Sequence, residues 1–312
     1  MSTYSNAAKT SYFARLKKSL KKHWILYVFF SLPFAYIIIF SYIPMYGIVM
    51  AFQDFSVKAG YFGSPWVGFE NFSRFFRSAM FSQLMYNTIT ISLYSMIAGY
   101  FTTIIFALMV NEVRYRRLKK TVQMISYLPY FISTVIIVSM LNQIFSLNGV
   151  INNFMQSLGF SPYSFFGNAS TFRHMYVWSG IWSGVGYGSV IYIAAMAKVD
   201  TELYEAAVID GANKLQKIWY IDIPTIMPTM TILLILNISG IMGVGFEKVY
   251  LMQNRINLGV SQVISTYVYQ TGLISQQYSF SAAVGLFNTV INLFLLLFAN
   301  MLARKFSETS LW

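Results

Sequence analysis

The chain has 312 residues, of which 56% are apolar or aromatic and only 10% are charged. So few polar side chains cannot cover a soluble globule of this size, and the composition therefore indicates an integral membrane protein. The net charge of +12 then reflects cations gathered on one side of a membrane rather than a nucleic-acid partner. The sequence has no cysteine and only two isolated histidines, His23 and His174, so it predicts no disulfide, thiolate chemistry or metal site.

The chain opens with a basic segment, and an apolar run from Trp24 to about Tyr46 follows it. The run is too long for the apolar region of a signal peptide, and no small-residue cleavage site follows it. We therefore predict a basic cytoplasmic tail over residues 1–24 and an uncleaved first transmembrane helix over residues 25–46.

Hydropathy predicts six membrane-spanning helices of about 20 residues or more. They cover approximately residues 25–45, 84–110, 121–145, 174–197, 225–252 and 279–303. Sixteen of the 22 lysines and arginines then lie on the side of the membrane that holds both chain ends, and five lie on the other. Because cytoplasmic loops are enriched in these residues, both termini are predicted to be cytoplasmic, including a C-terminal tail over residues 304–312.

Residues 47–83 form a predicted external segment that is rich in aromatic side chains. These side chains fit an interfacial helix on the outer face, and they fit equally a belt at the level of the lipid headgroups. Residues 84–303 then form a predicted core of five helices. In the third predicted helix, residues 121–145, Pro129 lies one turn inside the start and predicts a kink, beside Tyr127 and Tyr130.

The fourth predicted helix carries two stripes. Gly180, Gly184 and Gly188 recur every fourth residue on one face, which permits close contact with another helix. The aromatic groups of the second stripe fit either a lipid-facing belt or a wall on which sugars stack, and both alternatives stay open. This second stripe consists of Trp178, Trp182, Ser189 and Tyr192.

Polar residues at membrane depth lie in the fifth and sixth predicted helices. Asn237, Asn288 and Asn292 offer the amide groups that a neutral polyol needs when it loses water, although such groups also join helices. Glu247 and Lys248, towards the outer end of the fifth helix, are functional candidates or else reach to the interface. These residues, the second stripe of the fourth helix, Tyr127 and Tyr130 are our candidates for a substrate path.

Residues 198–224 form a charged loop between two apolar spans. Glu202, Glu205 and Ile209 recur at helical spacing, and Gly211 is free to adopt a positive φ. The loop is therefore predicted to contain a helix, a sharp turn and a second short helix. Pro224 lacks a backbone N–H and marks the predicted boundary before the next span.

The loop has the composition of a docking surface. Ala206 and Ala207 allow close approach, and Glu205 can pair with a basic residue of a soluble partner. An ordinary amphipathic connector, whose charges face water, is the alternative.

The order Glu205-Ala206-Ala207, Gly211 and Ile221-Asp222-Ile223-Pro224 resembles the cytoplasmic coupling loop of ABC-importer permeases. That loop reads E-A-A, then Gly four residues on, then I-x-L-P, and Ile223 replaces the usual Leu. The stretch Val67–Phe72 is similar to an element that precedes the transport core of sugar permeases. The basic tail, residues 26–44 and residues 127–130 further resemble the carbohydrate-uptake group and its Gram-positive permeases for complex oligosaccharides.

The resemblance implies an all-α, multi-pass protein of the bacterial plasma membrane, with six transmembrane helices and the type I ABC importer permease fold. It implies a heterodimer with a second homologous permease, two ABC ATPase subunits that bind ATP and magnesium, and an extracellular lipid-anchored solute-binding protein. The assembly would import oligosaccharides by alternating access. The residues that the resemblance assigns to ATPase coupling are Glu205, Ala206, Ala207, Asp210, Gly211 and Pro224.

Motifs of catalysis are missing from the sequence. It holds no Gly-rich nucleotide loop ending in Lys-Ser/Thr, no nucleophile elbow and no zinc-binding His-Glu-x-x-His helix. The chain is thus predicted not to be an enzyme and to bind no cofactor itself. The alternatives are an ABC permease for a lipid, peptide or amino acid, and an ion-driven transporter, which would show mid-helix carboxylates and internal repeats.

Overall fold

The computed structural model describes residues 12–306, with side chains from Ser19 to Lys305. Within this range the chain is mostly helical and contains no strand, only one isolated bridge between Gln53 and Trp66, and the all-α prediction is confirmed. The predicted tails beyond residues 12 and 306 lie outside the described residues. The α-helices are α1 (Tyr12–Ile37), α2 (Ile43–Met45), α3 (Gly60–Gly63), α4 (Glu70–Phe76), α5 (Met80–Asn111), α6 (Arg116–Tyr127), α7 (Thr134–Ile144), α8 (Val150–Ser157), α9 (Ala169–Met196), α10 (Thr201–Ile209), α11 (Lys214–Lys217), α12 (Ile223–Ser239), α13 (Phe246–Met252), α14 (Leu258–Ser261), α15 (Ile264–Tyr269) and α16 (Tyr278–Phe306).

Four helical stretches are long and apolar enough to cross a membrane: Ser19–Phe52, Met80–Asn111, Lys214–Ser239 and Tyr278–Lys305. Two further pairs of helices pass the same test only together. α6 with its 3₁₀ extension to Phe131 meets α7 at a bend of 97°, and α9 meets α10 at a bend of 78°. The described part of the chain therefore has four spans, or six when each bent pair counts as one, in agreement with the six predicted.

The first span is detached from the rest of the chain as far as Tyr46, and only its last segment packs on α16. Its helix begins at Tyr12, inside the predicted tail, and continues through a π turn at Ile38–Tyr42 and a 3₁₀ segment at Tyr46–Phe52. Every side chain from Leu20 to Tyr46 is exposed. Because a helix that is apolar all round must be covered by lipid or by another chain, the part of this span from Leu20 to Tyr46 does not contribute to the core of its own subunit.

The core is built around the pair α5 and α9, which pack along each other. One cluster between them and their neighbours contains the buried residues Ile91, Phe172 and Val177. A second, towards the other end of the same pair, contains Ile104, Tyr192 and Ile226. α12 packs on both α9 and α16, so the cavities described below are walled by α5, α9 and α12.

The predicted external segment is folded against the last span. Phe75 of α4 is fully buried and packs edge-on against Phe280 and Phe287 of α16. The backbone N–H of Phe55 donates to Ser279 Oγ at 2.7 Å. Some aromatic side chains, such as Phe69, remain exposed. The segment contains the short helix α4, but the aromatic side chain of Phe75, near the end of this helix, joins the helical core instead of lining a surface.

The prediction of a single kinked helix over residues 121–145 is wrong. Leu128–Phe131 tightens into a 3₁₀ turn that contains Pro129, and Ile132 and Ser133 are extended. The Ser133 hydroxyl then caps α7 by accepting from the N–H of Ile136 at 3.4 Å. Because Ser133 supplies a new N-cap, the chain starts a second helix at a steep angle rather than bending the first.

The prediction of a continuous helix over residues 225–252 is also wrong. α12 ends at Ser239, and α13 begins at Phe246. The six residues between them include three glycines, which weaken a helix. Asn292 of α16 accepts the freed N–H of Met242 at 3.1 Å, as a backbone group at membrane depth requires. Glu247 and Lys248 therefore lie on a separate short helix.

Pro224 does not end a helix as predicted. The helix runs on from Lys214 to Ser239 through a π turn at Ile218–Asp222. A proline ring clashes with the carbonyl four residues earlier in a regular α-helix, and the wider π turn relieves this clash. The first span uses the same arrangement, with a π turn at Ile38–Tyr42 two residues before Pro44.

Candidate functional site

The turn of the 198–224 loop is a Schellman motif. The N–H of Ala212 donates to the carbonyl of Ala207 at 2.8 Å, and the N–H of Gly211 donates to the carbonyl of Val208 at 3.1 Å. Gly211 has φ +75°, the left-handed conformation that this motif requires. The spacing of four residues from Ala207 to Gly211 is thus the distance from the third-last helical residue to the glycine that stops the helix.

Both short helices of the loop are capped by side chains. Asp200 Oδ1 accepts from the N–H of Glu202 at the start of α10. Asn213 and Gln216 form a reciprocal capping box at the start of α11. Because only Asp210–Ala212 separate the end of α10 from the cap of α11, the geometry between the two helices is rigid. The predicted order of helix, turn and short helix is confirmed.

The outer face of the loop is exposed and apolar, with acidic groups among the apolar ones. Glu205 and Ala206 point outward, whereas Ala207 is half-buried. Ile209 is 86% exposed, which is unusual for an isoleucine. The other exposed apolar residues of this face are Leu203, Val208, Leu215, Trp219 and Tyr220.

The inner face of α10 is fixed to the ends of two spans. The Tyr204 hydroxyl donates to Oδ1 of Asp222, which is fully buried at the start of α12. Asn111, the last residue of α5, donates to the same oxygen at 3.4 Å, and Lys119 of α6 donates to Asn111 Oδ1 at 3.3 Å. Burial and the neighbouring Asp222 carboxylate raise the pKa of Tyr204, so its hydroxyl stays protonated and remains a donor.

The glycine stripe of α9 lines a cavity of about 450 Å³ between α5, α9 and α12. An added Cβ would meet nothing within 4 Å at Gly184 and only side-chain atoms at Gly180 and Gly188. The predicted close helix contact is instead made at Gly186, where a Cβ would lie 2.1 Å from the Ser126 carbonyl oxygen of α6. Gly186 does not belong to the pattern of glycines at every fourth residue, so the spacing in the sequence did not predict this contact.

The cavity collects three of the predicted path residues, Tyr192, Asn237 and Lys248. The Lys248 ammonium donates to the Tyr176 carbonyl oxygen at 2.8 Å and lies 4.8 Å from the centre of the Tyr176 ring. An adjoining cavity of about 270 Å³ shares Ser95, Tyr176 and Asn237 with it. The larger cavity is also lined by Ser95, Tyr100 and Tyr176. These residues were not predicted, because each carries a polar group within an otherwise apolar helix.

The second stripe of α9 is divided between two environments. Trp178 and Trp182 are half-exposed in an apolar groove that also contains Phe145 and Phe165, and Trp178 Nε1 donates to the Tyr94 hydroxyl at 2.9 Å. Ser189 is fully buried and donates to the Gly186 carbonyl. The stripe is therefore not one continuous wall.

The remaining predicted path residues are scattered. Tyr130 stacks on Tyr187 with ring centres 4.1 Å apart, and Tyr127 is half-buried beside Ser189. Glu247 is exposed, unlike its neighbour Lys248. Asn292 braces the break after α12, while Asn288 Oδ1 is buried with no hydrogen-bond partner in the described part of the chain.

A family model for the inner membrane component of binding-protein-dependent transport systems matches residues 99–308. The chain belongs to this family. The permease is 39% identical to protein LplB of Bacillus subtilis over 295 residues, which cover 94% of this chain and 93% of that protein. It is also 39% identical to the polygalacturonan/rhamnogalacturonan transport system permease protein YteP of the same organism, over 96% of this chain and 93% of YteP.

Solved structures give the same result for the fold. A chain of a bacterial alginate ABC transporter, in complex with an alginate pentasaccharide-bound periplasmic protein, superimposes with a TM-score of 0.87 at 36% identity. The match covers 95% of the permease and 100% of that chain. The predicted family and type I ABC permease fold are confirmed, and the protein is a membrane permease of ABC importers.

We expect Tyr204→Phe to lower the free energy of unfolding of the permease by about 1.5–3 kcal/mol, because the buried Asp222 carboxylate loses a charge-assisted hydrogen bond. Thermal unfolding in detergent measures the loss. Tyr220→Phe is the matched control, since Tyr220 is 77% exposed on the same loop. Equal unfolding temperatures for the two variants would contradict the anchoring role of Tyr204.

Proposed function

We propose that the permease is one of two homologous membrane subunits through which an ATP-driven importer takes up oligosaccharides. The observation that carries this proposal is α10, whose inner face is anchored to spans and whose outer face is left uncovered. Such an arrangement suits a helix that receives movement from a soluble partner and passes it to the membrane core. The roles of YteP and of the alginate transporter support a saccharide as the cargo.

The proposed partners are a second permease, two ABC ATPase subunits that bind ATP and magnesium, and an extracellular lipid-anchored solute-binding protein. The family description, which specifies binding-protein-dependent transport, supports the last of these. The first span supports a further chain or lipid in contact with this subunit, since its side chains from Leu20 to Tyr46 are all exposed. Both chain ends and the 198–224 loop are proposed to lie in the cytoplasm.

In the proposed mechanism, ATP-driven closure of the ATPases moves the loop, and the spans open outward to accept sugar from the binding protein. Hydrolysis then restores the inward-facing state. Nucleotide energy shifts this equilibrium only through contacts that differ between the two states. Glu205, Ala206, Ala207, Asp210 and Gly211 are proposed to form the docking contact, and the Tyr204–Asp222 hydrogen bond to transmit its movement.

Purification of the intact complex in mild detergent tests the proposal. We expect a homologous permease and a protein with a nucleotide-cradling motif to co-purify, and Glu205→Ala to reduce the amount of that ATPase. Glu70→Ala is the control, because Glu70 is also an exposed acidic residue of a short helix, far along the chain from the loop. Purification of the permease alone, or equal ATPase recovery with both variants, would overturn the proposal.

A further inference from the structure

We propose that Lys248 is the group of this permease that recognises the carboxylate of an acidic sugar unit during import. The inference rests on the proposed function, and it adds the charge of the substrate and the residue that binds the charged group. Lys248 projects from α13 into the larger cavity, where its ammonium lies beside the wall formed by α9.

The charge of the cavity lining favours an anion. Lys248 is the one charged residue among the side chains that line it, and none of them is an aspartate or glutamate. The described contacts of the ammonium are the Tyr176 carbonyl and ring, so two of its three N–H donors have no partner among them. A lysine in such surroundings is stabilised when an anionic ligand accepts from it.

Neutral polar groups elsewhere in the cavity lining suit the hydroxyls of a sugar. Tyr100, Tyr192 and Asn237 line the same cavity. The hydroxyl oxygens of Ser95 and Ser92 are buried and have no hydrogen-bond partner in the described part of the chain, and both residues line the adjoining cavity. Unpartnered buried hydroxyls are costly unless a ligand or water pairs with them. One cation in a pair of adjoining cavities lined by such groups matches an oligomer of uronate units, each of which combines a carboxylate with several hydroxyls.

Gly180 supplies the space that the ammonium occupies. A Cβ at this position would lie 3.1 Å from Lys248 Nζ, closer than nearly all real Cβ contacts. A purely structural brace between α13 and α9 would need only the contact with Tyr176. It would not distinguish a charged sugar from a neutral one, and this difference separates the two roles by experiment.

The test measures uptake by membrane vesicles that contain the complete importer. The probes are trigalacturonate, the trisaccharide of alginate and the fully methyl-esterified trigalacturonate, which keeps the shape and loses the charge. Lys248→Met is expected to lower the ratio of acid uptake to ester uptake roughly ten- to a hundredfold, the effect of losing a charge-assisted hydrogen bond. Lys248→Arg is expected to keep a ratio near that of the unmodified permease, since it retains the cation.

Two further variants complete the design. Gly180→Ala is expected to lower the same ratio by a smaller factor, because the added methyl group crowds the ammonium without removing it. Lys58→Met removes an equally positive but exposed side chain from the segment over residues 47–83, and is expected to leave the ratio unchanged.

Each outcome decides between the alternatives. An unchanged ratio in Lys248→Met, or an equal loss of acid and ester uptake in both Lys248 variants, would overturn the role of Lys248 and leave the proposed function standing. Uptake of the ester but not of either acid by the unmodified importer would do the same. Uptake of none of the three probes would also overturn the role of Lys248, and the co-purification experiment described above then decides the proposed function separately.

Discussion

Glu205→Lys is expected to reduce uptake by at least about a hundredfold while the permease still inserts into the membrane. Glu205 lies on the exposed outer face of α10, where we propose that its carboxylate meets a basic residue of the ATPase. Breaking a buried ion pair costs about 3–5 kcal/mol, and reversing the charge adds repulsion. The measurement is uptake of labelled oligosaccharide, normalised to the amount of permease in the membrane.

The control for this variant is Glu70→Lys, which makes the same charge change on the exposed face of another short helix. It is expected to retain most of the uptake. ATP hydrolysis by the purified complex gives an independent reading, because a loosened ATPase should no longer respond to the loaded binding protein. Normal uptake by Glu205→Lys would show that the loop does not couple the ATPase to the membrane spans.

Gly186→Ala is expected to cause the largest loss of stability of any single methyl group added to α9. The new Cβ would lie 2.1 Å from the Ser126 carbonyl oxygen and 2.4 Å from its carbon, both of which belong to the backbone of α6. A backbone cannot rotate away as a side chain does, so the two helices must separate. Overpacking of this kind costs about 1–3 kcal/mol, and more where the surroundings are rigid.

Gly184→Ala adds the same methyl group two residues earlier and is expected to raise the stability of the permease rather than lower it. Its Cβ would meet nothing within 4 Å, and alanine favours a helix over glycine by up to about 1 kcal/mol. Thermal unfolding and the monodisperse fraction in detergent report both variants. If Gly186→Ala unfolds at the temperature of Gly184→Ala, the close approach of α9 and α6 does not limit stability.

The sequence revealed the number of spans and the design of the loop because both depend on local patterns. Long apolar runs predict spans wherever they occur, and Gly211 stands at the spacing that a Schellman end requires. The family resemblance added the role of Glu205, which no pattern of spacing could supply. That role and the orientation of the termini remain predictions.

The breaks at residues 132–133 and 240–245 were missed because they depend on capping and on distant partners. Hydropathy stays high across both, and it carries no information about where a backbone group finds its acceptor. The break after α12 is satisfied by Asn292, fifty residues further along the chain. Hydropathy also could not show the partner of Asn292, which was therefore assigned to a substrate path. Its amide oxygen instead accepts a hydrogen bond from the backbone N–H of Met242.

The π turn at Ile218–Asp222 also sets the direction in which the 198–224 loop faces around the axis of the span. A π turn contains one residue more than an α turn, and one residue of an α-helix corresponds to a rotation of about 100° about the axis. The extra residue therefore determines the azimuth at which Trp219, Tyr220 and the rest of the loop leave the span. The turn lies between α11 and Pro224. The direction in which the proposed docking surface of the loop faces is therefore set by the backbone of the span itself.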